Sequence, residues 1–375
     1  MEFGGRTLSL QRMPEDESLR AYDQADLLAL DAVVERGLSG RALIVLDAFG
    51  ALACALGDRD RASCADSELA RLALRANEQH NGLAECAWSD LDSIEGEFDF
   101  AVVKVPRQKA LLDATLARIR PHLREGAPVI GAGMTKQVHN STSRAFERWI
   151  GPTTTSLARS RARLLFSETS VGVSEPKQPA AVDVPGEDFR LWLEPGVFAQ
   201  RGVDAGSARL IPYVPRLIED GRGQLIADAG CGSGVLTAVA ALRNPKSQVV
   251  GTDESHLAVH SAQRTLQEAG LTHARVEVAD VFAGIKDGSV DLVLSNPPQH
   301  QAAALSQALL ERFIADSHRV LRPAGMVRMV ANRHVNLNVA LKGVFQRVRI
   351  LDQDRRFMVC EASGPLSLSA APHRP

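Results

Sequence analysis

The stretch LIADAGCGSGVL, residues 225–236, joins an apolar strand to an apolar helix through three alternating glycines. Glycine permits the sharp turn at such a junction and lets another molecule approach the backbone closely. A dinucleotide-binding turn would need a further glycine at the position of Val235, so strict recognition of a nicotinamide dinucleotide is disfavoured. No phosphate-binding lysine of the Walker type follows the glycines. The turn therefore predicts a ligand without phosphate groups.

Acidic residues occur at the ends of the next predicted strands, and they extend the same site. Carboxyl ends of parallel strands meet at one edge of a sheet, where ligands of open α/β folds bind. Asp253 is spaced to accept hydrogen bonds from ribose hydroxyls, and Asp280 from an adenine amine. Each acid alone is more often a turn residue or a helix cap. Together they predict an adenosine site formed by Asp228, Gly230, Cys231, Gly232, Gly234, Asp253 and Asp280.

Along the whole chain, short β-branched runs alternate with longer helical patterns, which is typical of an α/β fold with a mostly parallel sheet. In the second half, strands are predicted at 224–229, 248–253, 275–280, 290–295, 326–331, 346–351 and 356–362. Residues 167–188 are rich in Ser, Pro, Gly and Val without helical or strand periodicity, and the domain junction is placed in the segment 171–188. It is predicted to be a linker between domains of residues 1–170 and 189–375.

The two halves are similar to each other in order and pattern. FDFAVVKVP (98–106), a helix and HLREGAPVI (122–130) match DLVLSNPP (291–298), a helix and VLRPAGMV (320–327). ALIVLDAFGAL (42–52) matches LIADAGCGSGVL, but by this alignment it is two residues shorter and keeps one glycine where the later copy has three. The fold is therefore predicted to be α/β with two tandem Rossmann-like domains, the first of them degenerate.

Bulk properties exclude several classes of protein. The formal charge of −2 and pI of about 6.6 argue against a surface devoted entirely to phosphate, so any nucleic-acid contact should be local. The five scattered cysteines form no C-x-x-C pair, which disfavours a disulfide framework or a zinc site. No secretory signal or bilayer-length apolar segment is present. We expect a soluble cytoplasmic protein with reduced thiols, without metal or membrane contact.

The segment LSNPPQH, residues 294–300, ends an apolar strand with one asparagine and two prolines. With the upstream glycines and acids, it resembles the S-adenosylmethionine-dependent class I methyltransferases, whose D-x-G-x-G-x-G, two further acids and [ND]-P-P-x occur here in the same order. The resemblance implies S-adenosyl-L-methionine as cofactor and a planar, weakly nucleophilic nitrogen as methyl acceptor. Oxygens of Asn296 and Pro297 would orient its hydrogens while Pro298 stiffens the loop. These three are candidate catalytic residues, and Asn296 would also border the cofactor.

Nearly the whole chain is similar to the bacterial ribosomal RNA guanine-N2-methyltransferases, which carry two copies of this fold, the first degenerate. The similarity includes PGVFAQRGVDAGSARL (195–210), the histidine after N-P-P, and VANRH (330–334). It implies that Phe198 lies beside the cofactor. Chain length and the segment 151–166 favour the large-subunit (23S) enzyme over the small-subunit (16S) one. The implied reaction is methylation of the exocyclic N2 amine of a guanine in 23S rRNA.

One departure from that family keeps other functions open. The family usually has an aromatic residue after N-P-P that would stack on a flipped guanine, whereas this chain has Gln299. Gln299 and His300 are candidate substrate-binding residues, and Phe282 or His300 could supply the missing ring, although a phenylalanine such as Phe282 is more often a core residue. Since stacking contributes roughly 1–3 kcal/mol per base, a non-catalytic rRNA-binding assembly factor stays possible. Protein glutamine methylation shares the N-P-P chemistry but usually pairs it with a small helical domain.

The first domain is expected to bind RNA and no cofactor. Lys104 stands where the second copy has its asparagine, and most glycines of the turn are absent. Basic residues outnumber the nearby acid Glu147; they are Lys136, Arg144, Arg148, Arg159, Arg161 and Arg163. Arg159 and Arg161 are the predicted phosphate contacts, with a merely solvated charged face as an equally weighted alternative. The expected partner is 23S rRNA, and the expected state is a monomer.

Overall fold

The computed structural model describes residues 1–15, 19–170, 172, 177–198, 202–218, 221, 223–298 and 303–366. The chain divides into two compact units, Met1–Gln178 and Pro179–Pro375. The boundary lies inside the segment predicted as a linker. However, Ala180–Asp183 within that segment forms a strand that pairs in the second unit.

The first unit contains a seven-stranded mixed sheet with helices between its strands. Its elements are β1 (Glu2–Phe3), β2 (Arg6–Thr7), α1 (Gln24–Glu35), β3 (Ala42–Val45), α2 (Ala51–Ala55), β4 (Arg61–Cys64), α3 (Glu68–His80), β5 (Ala87–Ser89), β6 (Phe100–Lys104), α4 (Lys109–Ile119), a 3-10 turn (Arg120–His122), β7 (Pro128–Met134), α5 (Asn140–Trp149), β8 (Thr153–Thr155) and β9 (Ala162–Glu168). The sheet order is β5-β4-β3-β6-β7-β9-β8. Strand β3 is buried along its length, as expected for a central strand covered on both faces.

The second unit repeats this plan after a short antiparallel pair. Its elements are β10 (Ala180–Asp183), β11 (Arg190–Leu193), α6 (Ala205–Leu210), a 3-10 turn (Ile211–Tyr213), β12 (Leu225–Ala229), α7 (Val235–Arg243), β13 (Gln248–Asp253), α8 (His256–Glu268), β14 (Ala274–Val278), β15 (Val290–Ser295), α9 (Ala303–Val320), β16 (Leu321–Asn332), α10 (Leu337–Lys342), β17 (Phe345–Gln353) and β18 (Phe357–Pro365). The order β14-β13-β12-β15-β16-β18-β17 matches that of the first unit strand for strand.

In both sheets the first five strands of the sheet order are parallel, the sixth (β9 or β18) runs antiparallel to them, and the seventh (β8 or β17) pairs antiparallel with the sixth. The expectation of two tandem Rossmann-like domains is thus confirmed. Five parallel strands also deliver their carboxyl ends to one edge of each sheet. That edge carries the predicted site residues of the second unit.

The turn after the first strand of each sheet differs from the expectation. In the first unit, Val45 ends β3 and Gly50 caps α2; in the second, Ala229 ends β12 and Gly234 caps α7. Both turns therefore span the same number of residues, and the alignment that made the first one shorter was wrong. Leu46 follows Val45 with φ 58°, taking the left-handed conformation that a glycine adopts in the second unit. A side chain in that conformation costs roughly 1–2 kcal/mol, which is why sequence matching alone misplaced it.

The strand expected at 326–331 begins five residues earlier. Helix α9 ends at Val320 and β16 begins at once, with Pro323 and Gly325 inside the strand. The pairing of β15 with β16 shifts register between Val290 and Leu292, which absorbs these residues as an irregularity. The breaker pair therefore bends a strand rather than separating two elements. In the described part of the chain, no helix combines the length and apolarity needed to span a bilayer.

Candidate functional site

All three glycines of the second turn have left-handed backbone angles, with φ of 67° at Gly230, 55° at Gly232 and 86° at Gly234. They serve different purposes. A Cβ added to Gly234 would lie 2.8 Å from the Cβ of Ala262, so this glycine lets α7 pack against α8. A Cβ added to Gly232 would meet no atom within 4 Å. Gly232 therefore borders open space that a ligand could fill.

Asp253, at the end of β13, points its carboxylate at this turn. Its Oδ2 accepts a hydrogen bond from the Gly232 amide at 2.9 Å, and its Oδ1 accepts one from the Ser255 amide at 3.0 Å. Burial raises the pKa of the Asp253 carboxyl, against the lowering effect of these backbone donors. Each oxygen keeps a further lone pair. The carboxylate thus keeps acceptor capacity for a ribose hydroxyl beside the space at Gly232.

Asp228, the first of the three strand-end acids, is buried near the end of β12. Its side chain has 0% exposure, and the Thr237 hydroxyl donates to its Oδ2 at 2.7 Å. Burial raises the pKa of Asp228 to about 7. Its Oδ1 accepts no hydrogen bond from the described residues. The residue ties β12 to α7 from beneath the turn, while a direct contact with a cofactor stays a prediction.

Asp280 already has a partner that the sequence did not indicate. Nη2 of Arg312, on α9, lies 2.7 Å from its Oδ1 and 2.5 Å from its Oδ2. The next residue, Val281, has φ 49°, a strained angle for a β-branched side chain. Phe282 is fully buried, so of its two suggested roles the structure places it in the core. Arg312 escaped sequence reasoning because it lies 32 positions away on an amphipathic helix.

Asn296 follows β15 and is held by side chains from the start of α6. Its Nδ2 donates to Asp204 Oδ1 at 2.8 Å and to Ser207 Oγ at 3.1 Å. Gly206, between these two, leaves room for the amide, since a Cβ there would lie 2.7 Å from Asn296 Oδ1. Sequence reasoning missed all three, although they lie inside the family-like segment 195–210. Pro297 is buried and Pro298 exposed.

The other predicted site residues are Phe198, Gln299, His300 and Cys231. Phe198 is 48% exposed, and the segment after it is outside the described residues. Gln299 and His300 also lie outside the described residues, so their suggested contacts with substrate stay predictions. The side chain of Cys231 is buried while its amide donates to the Thr252 carbonyl at 2.9 Å, so only its backbone faces the turn.

In the first unit, the corresponding edge is filled by charged side chains. Lys104 Nζ lies 2.9 Å from Asp23 Oδ1 and 2.6 Å from Asp26 Oδ1. Burial opposes its charge, yet the carboxylates of Asp26 and Asp23 hold the pKa of Lys104 above its usual value. Asp47 is buried and accepts the amides of Ala51, Leu52 and Ala53 at the start of α2. Burial raises the pKa of Asp47 to about 6.

The basic residues of the first unit separate into paired and unpaired ones. Arg159 and Arg161 flank the tip of the β8–β9 hairpin, where Ser160 and Arg161 have φ of 50° and 63°. Both arginine side chains are exposed, and within the described residues neither makes an ion pair. Arg148, in contrast, forms an ion pair at 3.2 Å with Asp113, an acid distant in the sequence.

Within the described residues, no group of His, Cys, Asp and Glu side chains is arranged to hold a metal ion. All five cysteines are buried and unpaired. Gly232, Asp253 and Asn296 each follow or end a parallel strand and lie at the carboxyl edge of the second sheet.

Comparison with known proteins identifies the family. Residues 1–171 match the RLMG N-terminal domain, and residues 188–361 match the methyltransferase small domain. Ribosomal RNA large subunit methyltransferase G of Streptomyces coelicolor is 38% identical over 96% of this chain and 98% of its own length. The chain belongs to the large subunit methyltransferase G family. The Pseudomonas aeruginosa member is 37% identical over 95% of this chain and 97% of its own.

A solved structure supports the fold independently. The 16S rRNA N2 methyltransferase RsmC of T. thermophilus, in complex with AdoMet and guanosine, matches with a TM-score of 0.74. It covers 97% of this chain and 96% of that one at 22% sequence identity. The match therefore extends over both units.

Proposed function

We propose that this protein transfers the methyl group of S-adenosyl-L-methionine to the exocyclic N2 amine of a guanine in 23S rRNA. The observation that carries the proposal is the juxtaposition of a fixed acceptor amide, Asn296, with an open glycine turn bordered by the carboxylate of Asp253. Membership of a family whose relatives are named large subunit methyltransferases supports rRNA as the substrate.

The residues present fit the cofactor. Gly232 leaves space at the turn, Asp253 keeps lone pairs for ribose hydroxyls, and Asp280 lies two residues beyond the end of the third strand, where the adenine would lie. When bound, the sulfonium supplies an electrophilic methyl group, with sulfur keeping the electron pair of the broken C–S bond.

The chain's own contribution is to position a poor nucleophile. The lone pair of an exocyclic guanine amine is delocalised into the ring, so acceptors aimed at its hydrogens favour attack out of the ring plane. Asn296 Oδ1 and the Pro297 carbonyl are suited to this, because neither donates a competing hydrogen. As the N–C bond forms, one hydrogen of the amine leaves as a proton along these acceptors to water.

We further propose that the first domain holds RNA and binds no cofactor. Two observations support this. The amides that start α2 are already occupied by Asp47, and Lys104 fills the place of the acceptor asparagine. At the hairpin tip, Arg159 and Arg161, which have no ion pair among the described residues, stand beside Leu157, which is 90% exposed. Cations next to an exposed apolar side chain suit phosphates beside an unstacked base.

Nucleoside mass spectrometry tests the reaction. Unmodified 23S and 16S rRNA are incubated separately with enzyme and cofactor, then digested to nucleosides. N2-methylguanosine in the 23S sample alone is the expected result. The same product in 16S rRNA alone would transfer the activity to the small subunit. Cofactor and rRNA binding without any methylated nucleoside would indicate an assembly factor, and transfer to protein would indicate glutamine methylation.

Removal of charge tests the RNA surface. The variant Arg159→Gln/Arg161→Gln should weaken rRNA binding, and the slope of log K against log salt should fall by about 0.7–0.9 for each phosphate that is no longer neutralised. Cofactor affinity should not change. Arg6→Gln is the matched control, since Arg6 is already paired with Asp58 in the same domain. An equal effect of both variants would reject the hairpin as the RNA-binding surface.

A further inference from the structure

The amide of Asn296 has both of its hydrogens committed. A carboxylate can only accept, so the atom facing Asp204 at 2.8 Å must be Nδ2 and not Oδ1. The second hydrogen of the same nitrogen is directed to Ser207 Oγ at 3.1 Å. A free asparagine amide can rotate by 180° and exchange its donor and acceptor ends. Here one rotamer is selected, and it leaves Oδ1 as an acceptor without a donor among the described residues.

That choice of rotamer decides what a substrate amine would meet. In the observed orientation the asparagine offers a pure acceptor, whereas the opposite orientation would offer two hydrogens and repel the N–H groups of an amine. Gly206 is part of the arrangement, because any Cβ would lie within 3.0 Å of three amide atoms. Asp204 is already the N-cap of α6, accepting the amides of Gly206 and Ser207 at 2.9 and 3.0 Å, so its carboxylate is immobilised.

The first domain provides an independent observation, since it contains the same device in altered form. Asp23 caps α1 as Asp204 caps α6, and Asp26 is the third helical residue of α1 as Ser207 is of α6. These two hold Lys104, the residue at the Asn296 position, at 2.9 and 2.6 Å. At the third helical position, the first domain thus has the carboxylate of Asp26 facing a cation, and the second domain has the hydroxyl of Ser207 facing a neutral amide.

We propose that Asp204 and Ser207 are positioning residues that fix the Asn296 amide with its oxygen toward the methyl acceptor, and that Gly206 provides the room. This inference rests on the proposed function. In each domain, the N-cap and the third residue of the helix before the sheet (α1 or α6) then hold the side chain that ends or follows the fourth parallel strand, which is Lys104 or Asn296. In the first domain that group is an ammonium without acceptor capacity.

Variants that change the charge on each side of the contact test the proposal. Asn296→Asp places a carboxylate against Asp204, and kcat should fall about 100-fold, as expected for a misplaced catalytic group. Asp204→Asn preserves the helix cap, since Asn caps about as well as Asp. Asp204 Oδ1 accepts from Gly206, Ser207 and Asn296 alike, so in the combined variant Asp204→Asn/Asn296→Asp the amide at position 204 keeps its oxygen on the helix cap. The repulsion between two carboxylates is then removed, the Ser207 hydroxyl can donate to the carboxylate at position 296, and the other oxygen of that carboxylate stays an acceptor. We expect kcat at least roughly 10-fold above that of Asn296→Asp alone.

Ser207 gives a second test that does not depend on the double variant folding. Ser207→Ala should lower kcat while the KM for rRNA and the Kd for cofactor stay constant, and Ser207→Thr should restore kcat. Asp287→Asn is the matched control, an exposed acid of the same domain paired with Arg319. No gain in the combined variant, or a loss in Ser207→Ala that appears in KM instead of kcat, would overturn the proposal.

A readout without turnover separates this proposal from the function itself. If the wild-type protein methylates no rRNA, the proposed function fails, and the Asn296 side-chain amide is then followed by NMR after selective asparagine labelling. Its hydrogens should exchange slowly in the wild type and faster in Ser207→Ala. Equal exchange rates would reject the positioning role on their own.

Discussion

Gly232→Ala is the variant that most directly tests where the cofactor lies. Gly232 has φ 55°, and a Cβ there would meet nothing within 4 Å, so the added methyl group points into the space assigned to adenosine. The Gly232 amide and its bond to Asp253 are retained. The methyl group should therefore disturb a bound ligand more than it disturbs the fold.

The magnitude follows from two separate terms. Placing alanine in the left-handed conformation costs roughly 1–2 kcal/mol of stability. A methyl group forced into a packed ligand site costs roughly 1–3 kcal/mol, which corresponds to a rise in Kd of about 5- to 150-fold. Gly270→Ala controls for the first term, since Gly270 has φ 67°, also meets nothing within 4 Å, and lies in the exposed turn after α8.

Isothermal titration calorimetry with S-adenosyl-L-methionine measures the loss of cofactor affinity, and thermal unfolding measures the loss of stability. Both variants should lose similar stability, while only Gly232→Ala should lose cofactor affinity. Gly234→Ala should instead mainly destabilise the domain, because its Cβ would clash with Ala262 at 2.8 Å. Wild-type cofactor affinity in Gly232→Ala would refute the assignment of the open space to the cofactor.

Three further outcomes are expected. Burial raises the pKa of Asp228 to about 7, so the folded state binds this proton more tightly than the unfolded state does. The free energy of unfolding therefore falls as pH rises from about 4 through 7. Asp228→Asn should raise the thermal unfolding midpoint relative to wild type at pH 8 more than at pH 5.5. Lys104→Met leaves two carboxylates without their cation and should destabilise the first domain by about 3–5 kcal/mol in denaturant unfolding, without changing cofactor Kd. Arg312→Gln removes the cation that holds the Asp280 carboxylate in place, and a partly exposed ion pair of this kind contributes about 1 kcal/mol. The Kd for cofactor should therefore rise by roughly 3- to 10-fold. An unchanged Kd would show that Asp280 does not bind the adenine.

The local pattern of apolar and polar residues was sufficient to predict the strands and helices of the α/β fold. The strands predicted at 248–253 and 290–295 have those same bounds in the structure, because each is a short apolar run closed by polar or breaker residues. The order of glycines, acids and the N-P-P segment was sufficient for the class of protein. The degenerate first copy was also evident from the sequence, although Leu46 in a glycine conformation made its turn look shorter than it is.

Contacts between side chains that are distant in the sequence could not be predicted from it. Asn296 and Asp204 are 92 positions apart, and Arg148 and Asp113 are 35 apart, so no periodicity connects them. The same holds for Phe282, whose pattern allowed either a stacking ring or a core side chain until packing decided for the core.

The sequence by itself determined the strand and helix pattern, the duplication, and the residues that could carry the chemistry, because these depend on backbone conformation and spacing within a few turns of chain. Only the tertiary structure decided which oxygen of Asn296 is free, which carboxylates are buried or paired, and which arginines keep an unpaired charge. Those properties arise when distant side chains are brought within hydrogen-bond distance of each other, and the free energy that selects among them exists only in the packed state.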